Sequence, residues 1–359
     1  MKRRSLLSLL AAGSASAAFS ASWRQAASAA SQPHVLLLLE LRGGNDGLNT
    51  VAPYQHPLYR QSRPSLAIDG TLPISSELAL HPALAPLMPL WRQQRLGFVL
   101  GVGWPQPNRS HFKAADQWAT ASPAGTGVGW IARAYPAGPL VALDPAGCRA
   151  MEEGDALALQ LSLPQLKTRS SGLLLDPSQA GSSPILRQML ALELAGQREL
   201  ERLRDQLAPL PAGLSLPRHG LAQQVGLALR LIGSGDCPPV LQLAQPGYDT
   251  HANQAPRHTL QLTQLAEALV VLDAGLKQLP RRPRVTLLAV SEFGRRLQEN
   301  GSRGTDHGSA SVAFLYGDSI PAPFIGHYPS LEQLDSRGDL VPGLSPVELY
   351  TRVLAMKVG

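Results

Sequence analysis

The apolar run Val35-Leu36-Leu37-Leu38-Leu39, inside the segment His34–Leu41, most strongly limits what this chain can build. A short stretch with no polar alternation suits a strand buried on both faces. Such strands belong to parallel sheets covered by helices on each side. Comparable runs recur at Leu96–Val102, Val240–Ala244, Val285–Val290 and Ser311–Tyr316. Helical patterns lie between them at Pro82–Arg95, Lys113–Ala119, Gly127–Arg133 and Arg257–Leu279, and another closes the chain at Pro346–Met356. Strands alternating with helices predict an α/β fold: a mainly parallel, doubly wound sheet with helices on both faces. Residues 145–183, rich in Leu, Ser, Gly and Pro, read as an irregular or small β insertion with a short strand at Leu157–Leu161. Ile185–Leu207 and His219–Ile232 read as amphipathic helices that form a hairpin against the sheet or a lid. The whole insertion spans about 145–235 of a single domain covering 30–359.

Residues 1–29 are expected to stand outside that domain. Lys2-Arg3-Arg4 precedes a modest apolar stretch, Leu6–Phe19, and Ala27-Ser28-Ala29 offers a small-residue cleavage site. Paired arginines before a weakly hydrophobic segment, with Arg24 near the cleavage region, favour a twin-arginine export signal over an ordinary Sec signal. The translocase is then a partner during export, and the mature protein is periplasmic or secreted. No later run is long enough for a stable membrane anchor. Removing Lys2, Arg3, Arg4 and Arg24 lowers the formal charge from +6 to +2. So small a surplus gives no footing for nucleic-acid binding. Cys148 and Cys237 are the only cysteines. They pair in the oxidising periplasm or stay as separate core thiols, and neither sits in a zinc-binding spacing.

Chemistry-bearing residues gather where the apolar runs stop. Glu40 ends the first, and a glycine-rich loop with Asn45 and Asp46 follows. Asp249 and His251 follow the run at Val240, and Glu292 and Arg295 follow the run at Val285. Asp306 and His307 stand just before Ser311. Ser110 stands in the segment 107–112, which leads into the helical pattern Lys113–Ala119 after Leu96–Val102, and Ser110 or Asn108 is placed to cap that helix. In an open α/β sheet, positions just past the carboxyl ends of strands converge on one edge. Carboxylates, imidazoles and an arginine collected there suit one or two divalent ions beside an anion-binding group. Each pair has a structural alternative: Asp249 and His251 as loop organisers, Glu292 with Arg295 as an ion pair, and Asp306 as an orienting group for His307. His34, His56, His81, His258 and His327 read as surface or core histidines, and His219 as a surface residue. Trp91, Trp104, Trp118 and Trp130 read as packing residues.

The order of these groups resembles the alkaline-phosphatase-like superfamily. More closely, the chain resembles a bacterial exported family, number fifteen hundred and one in the domain-of-unknown-function series. The resemblance rests on Leu41-Arg42-Gly43-Gly44-Asn45-Asp46-Gly47-Leu48-Asn49-Thr50, Arg109-Ser110-His111-Phe112, Asp249-Thr250-His251-Ala252-Asn253-Gln254, Ser291-Glu292-Phe293-Gly294-Arg295 and Gly304-Thr305-Asp306-His307-Gly308. It implies an alkaline-phosphatase-like fold with Glu40 or Asp46 as the first acidic metal ligand and Ser110 as the nucleophile. Asp249, His251, Glu292, Asp306 and His307 complete the implied metal set. The chain departs from the superfamily in two places. One residue separates Asp249 from His251 instead of three, and Phe293 stands where a histidine belongs. One ion, a different ion or a lost site are therefore all open.

The function implied is that of an exported hydrolase of phosphate or related esters, dependent on zinc, manganese or calcium, acting on a small-molecule or polymer ester. Arg295 would stabilise charge on the transferred group. Ser110 lacks the Cys/Ser-x-Pro-x-Arg pattern of formylglycine sulfatases. The alternative is a non-catalytic periplasmic binding or assembly protein that keeps the fold around a remodelled polar pocket.

Overall fold

The computed structural model describes residues 33–162, 178, 183–280, 282–318 and 320–356. The expected export signal lies outside them, as does most of the stretch between Ser162 and Ser183. Thirteen strands appear among the described residues: β1 His34–Arg42, β2 Val51–Ala52, β3 Leu72–Pro73, β4 Ala79–Leu80, β5 Leu96–Val102, β6 Pro139–Ala142, β7 Leu157–Gln160, β8 Val240–Pro246, β9 Arg284–Val290, β10 Arg295–Glu299, β11 Thr305–His307, β12 Ser311–Gly317 and β13 Phe324–Gly326. The α-helices are α1 Gly47–Thr50, α2 Pro57–Ser62, α3 Met88–Arg92, α4 His111–Thr120, α5 Trp130–Ala134, α6 Pro184–Asp205, α7 Gly220–Gly233, α8 Gln254–Gln278 and α9 Pro346–Ala355.

Eight strands form one sheet in the order β13-β5-β12-β9-β1-β8-β6-β7. All run the same way except β12, which is antiparallel to both β5 and β9. The expected mainly parallel α/β sheet is therefore the one observed. Strand β1 lies in the middle, and its side chains divide by parity as a pleat requires. Val35, Leu37, Leu39 and Leu41 enter a core completed by α7 and α8. Leu36 and Leu38 enter a second core with Trp118 of α4, Trp130 of α5 and Tyr350 of α9. Burial on both faces is the physical reason the strand reads as continuous leucine.

Some expected elements change form. The helix expected over Pro82–Arg95 is a 3-10 turn at Pro82–Leu87 followed by the short α3. Pro86 and Pro89 remove backbone donors there, so one continuous helix cannot form. Helix α6 matches the long amphipathic helix of the insertion, but most of it is solvent-facing and Leu203 is its one fully buried residue. His219 is half-buried rather than on the surface. It caps α7 by accepting from Ala222 N and pairs with Glu267. Cys148 and Cys237 are free thiols packed against the two different cores. No helix among the described residues is long and apolar enough to cross a membrane.

Candidate metal centre

The carboxyl ends of β1, β5, β8 and β9 and the start of antiparallel β12 share one edge of the sheet. The loops they release meet there. Gly43, at φ +117°, turns the chain off β1, and a Cβ at that position would lie 2.3 Å from Asp249 N. Only glycine lets these two loops touch. On the far side, the β10–β11 hairpin packs on the loop after β8. Asn253 N donates to Ser302 O at 3.0 Å and Gln254 N to Arg303 O at 2.9 Å. A Cβ at Gly304 would lie 2.2 Å from the His251 carbonyl.

These contacts gather three imidazoles around Asp249. His307 Nε2 is 3.3 Å and His251 Nε2 3.1 Å from Asp249 Oδ1, and His111 Nε2 is 3.5 Å from Oδ2. His251 Nε2 and His307 Nε2 face each other at 2.8 Å. The other nitrogen of each ring meets an oxygen: His111 Nδ1 with Glu292 Oε1 at 2.9 Å, His251 Nδ1 with Asp306 Oδ1 at 3.3 Å, and His307 Nδ1 with the Arg109 carbonyl at 2.7 Å. Those oxygens can only accept, so each Nδ1 carries the proton and each Nε2 of a neutral ring presents a lone pair. Three lone pairs and a carboxylate therefore converge with too few protons between them. That is the donor arrangement of a divalent-ion site, with ring orientation set by outer partners.

The electrostatics agree for Asp249 and His307. Burial alone would raise the Asp249 carboxyl, but the hydrogen bond and charge of Arg295 hold it down at about 2, so it is ionised. Burial pushes His307 below its ordinary value, which keeps it neutral. The hydrogen bond to Glu292 raises His111 against a smaller burial effect. One ligand atom each from His111, Asp249 and His307 lie within 4.8 Å of one another. The donor set of imidazole nitrogen and carboxylate oxygen fits a borderline ion such as zinc.

The structure thus brings Asp249, His251, Glu292, Asp306 and His307 together, with Glu292 and Asp306 bonded to imidazole Nδ1 atoms. The residue that sequence reasoning passed over is His111. It sits in the same short motif as Ser110, at the first position of α4. Ser110 is exposed and its hydroxyl makes no capping bond.

Three expected roles need correction. Glu40 lies away from the cluster, on the face where Leu36 and Leu38 point. Arg42 bonds it at 2.6 Å and Gln242 at 2.9 Å, and burial lifts its carboxyl despite Arg42. Asp46 is buried against Arg63 at 2.5 Å, caps α1 and accepts from Gln254 at 2.5 Å. Burial would raise its carboxyl, but Arg63 wins and keeps it low. Its part is structural: Arg63 also donates to Leu297 O and Arg296 O of β10, and Gln254 accepts from Thr250 and Thr305. Arg295 is fully buried. It donates to the carbonyls of Gly43, Gly44, Tyr248 and Thr305 and to Asp249 at 2.9 Å. A guanidinium so enclosed ties the loops together and sets Asp249, and it does not reach a substrate.

No curated protein matches the chain. Among solved structures, the chain is similar to the C-terminal periplasmic domain of EcEptC from Escherichia coli, in complex with Zn, at 10% identity and TM-score 0.41, covering 90% of this chain and 81% of that one. It is also similar to the C-terminal periplasmic domain of the phosphoethanolamine transferase EptC from Campylobacter jejuni (11%, TM-score 0.37, 82% of each chain). Alkaline phosphatase from the Antarctic bacterium TAB5 is a third (13%, TM-score 0.36, 80% of this chain and 92% of that one). A family model matches residues 102–333, well over half of the sequence and including every imidazole of the cluster, and on that match the chain belongs to the protein family of unknown function DUF1501.

Proposed function

We propose that this protein is an exported hydrolase of phosphate or related esters that depends on a divalent ion held by His111, Asp249, His251 and His307. One observation carries the reading: three imidazoles, each with Nδ1 satisfied by an oxygen, turn Nε2 toward one ionised carboxylate. A structural ion pair needs one imidazole, and three around a single carboxylate are expensive unless a cation joins them.

A divalent ion at this position supplies Lewis acidity to an ester oxygen and lowers the pKa of an adjacent hydroxyl or water. The rest of the chemistry falls to the chain. Glu292, Asp306 and the Arg109 carbonyl fix the tautomers and keep the Nε2 lone pairs inward. Arg295 keeps Asp249 ionised and in place. Ser110, uncommitted and exposed at the first turn of α4, is the candidate nucleophile. The partial positive charge of the helix start favours the anionic group that it would attack. Residues 1–29 are read as the twin-arginine signal that delivers the protein to the periplasm or beyond.

Protein purified after export should contain zinc, manganese or calcium, and a panel of aryl phosphates, phosphodiesters and sulfates should reveal turnover lost in His307→Ala and Ser110→Ala. Bound metal without turnover on any of these would instead favour a binding protein that keeps the centre without catalysis.

A further inference from the structure

The loop that leads into α4 borders an open cavity of about 380 Å³, lined by Gln106, Pro107, Asn108, Arg109, Gln117 and Arg337. It joins the centre through the chain itself. The carbonyl of Arg109 holds His307, and Ser110 and His111 are the next two residues. The lining carries two guanidiniums and no carboxylate. Arg337 is exposed, and its side chain meets no carboxylate among the described residues. Arg109 gives one nitrogen to the buried Asp339, which Arg296 also approaches at 3.3 Å, so two cations share that carboxylate. Arg109 Nε, Arg296 Nε and Asp339 Oδ1 are all closed to solvent and make no hydrogen bond. Asp335, two residues before Arg337, accepts through Oδ1 from the backbone N–H groups of Arg337 and Asp339 and forms no ion pair with Arg337 among the described contacts. One buried carboxylate thus answers two guanidiniums, and the exposed Arg337 on the polar wall is left as the partner for a negatively charged oxygen group.

We infer that this cavity is a second anion subsite: the substrate carries a phosphate or carboxylate on the portion that is not transferred, and Arg337 with Arg109 receives it. The inference rests on the proposed function, because it takes the metal cluster as the seat of the transferred group. It narrows the substrate class from esters in general to esters with an anionic alcohol portion. Phosphates of uncharged phenols would be handled, but poorly.

Binding of non-hydrolysable ligands tests this without requiring turnover. Ethylphosphonate offers one anionic group. Carboxyalkyl phosphonates and alkane bisphosphonates with two- to four-carbon linkers add a carboxylate or a second phosphonate. Titration calorimetry on the protein as purified should show at least one two-headed ligand binding about five- to tenfold tighter than ethylphosphonate. The better of the two series identifies the anion as carboxylate or phosphate type. In Arg337→Ala the gain should shrink to about twofold or less, and Arg337→Glu should remove it. A gain absent at every linker length, or kept in Arg337→Glu, overturns the subsite. Turnover of p-nitrophenyl phosphate without any two-headed gain would sink the subsite and leave the hydrolase standing. A two-headed gain with no turnover would do the reverse.

Discussion

Replacing Arg295 by lysine separates two accounts of that residue. The guanidinium is fully buried and has five acceptors: four carbonyls and Asp249. An ammonium offers three donors from one point and cannot span loops that approach from three sides. Two of the five acceptors then lose their donor, and since Asp249 is half exposed at least one of the two is a buried carbonyl. Each costs about 1–3 kcal/mol, so the variant should lose about 2–5 kcal/mol. For roughly 300 described residues the melting entropy is about 0.6 kcal/mol per degree, so Tm should fall by about 3–8 °C. Thermal unfolding of the chelator-treated protein, followed by circular dichroism, reads this directly and excludes any stabilisation by bound metal. If Tm stays within a degree of wild type while turnover collapses, the guanidinium is free to serve the substrate and the structural role assigned to it is wrong.

Four further outcomes follow from the same geometry. Asp46→Asn should destabilise the protein by about 3–5 kcal/mol in urea, because it leaves Arg63 buried without its counter-charge. Glu292→Ala should weaken metal affinity about 10- to 100-fold with little change in far-UV dichroism, since His111 loses the oxygen that fixes its Nδ1 proton. Burial lowers His258 to about 3 and His81 to about 4 from an ordinary 6.5. Below pH 6.5 the unfolded chain therefore takes up protons that the folded chain refuses. Stability from these two groups is complete above pH 6.5 and falls on acidification, by about 2–4 kcal/mol at pH 5, and urea midpoints at pH 7.5 and 5 should show it. Cys148 and Cys237 face different cores, so a thiol assay in denaturant should count two free thiols in protein exported under oxidising conditions.

Much of the fold was legible because periodicity reports burial. The leucines of β1 fill both cores, and every apolar run named from the sequence is a strand within two residues. What periodicity cannot see is backbone supply: Pro86 and Pro89 turned an expected helix into a 3-10 turn and a short helix. The candidate site was legible to the extent that strand ends converge, which placed Asp249, His251, Glu292, Asp306 and His307 correctly as neighbours. Asp46 and Arg295 misled because a carboxylate or guanidinium in a glycine-rich loop looks the same whether it faces a ligand or a buried partner. The partner of Asp46, Arg63, lies in a stretch with no signal of its own. His111 was hidden beside Ser110, whose hydroxyl drew the functional reading. The Nδ1 partners, one of them a backbone carbonyl, are invisible until the loops are folded.

The central claim is that His111, Asp249, His251 and His307 share one cation, and X-ray absorption at the metal edge of zinc-loaded protein tests it most directly. One ion per chain is expected, with only nitrogen and oxygen neighbours at about 2.0–2.2 Å and the multiple scattering of at least two imidazoles. That imidazole signature should diminish in His307→Ala. Sulfur in the shell, or an imidazole signal untouched by His307→Ala, would place the ion elsewhere and contradict the account.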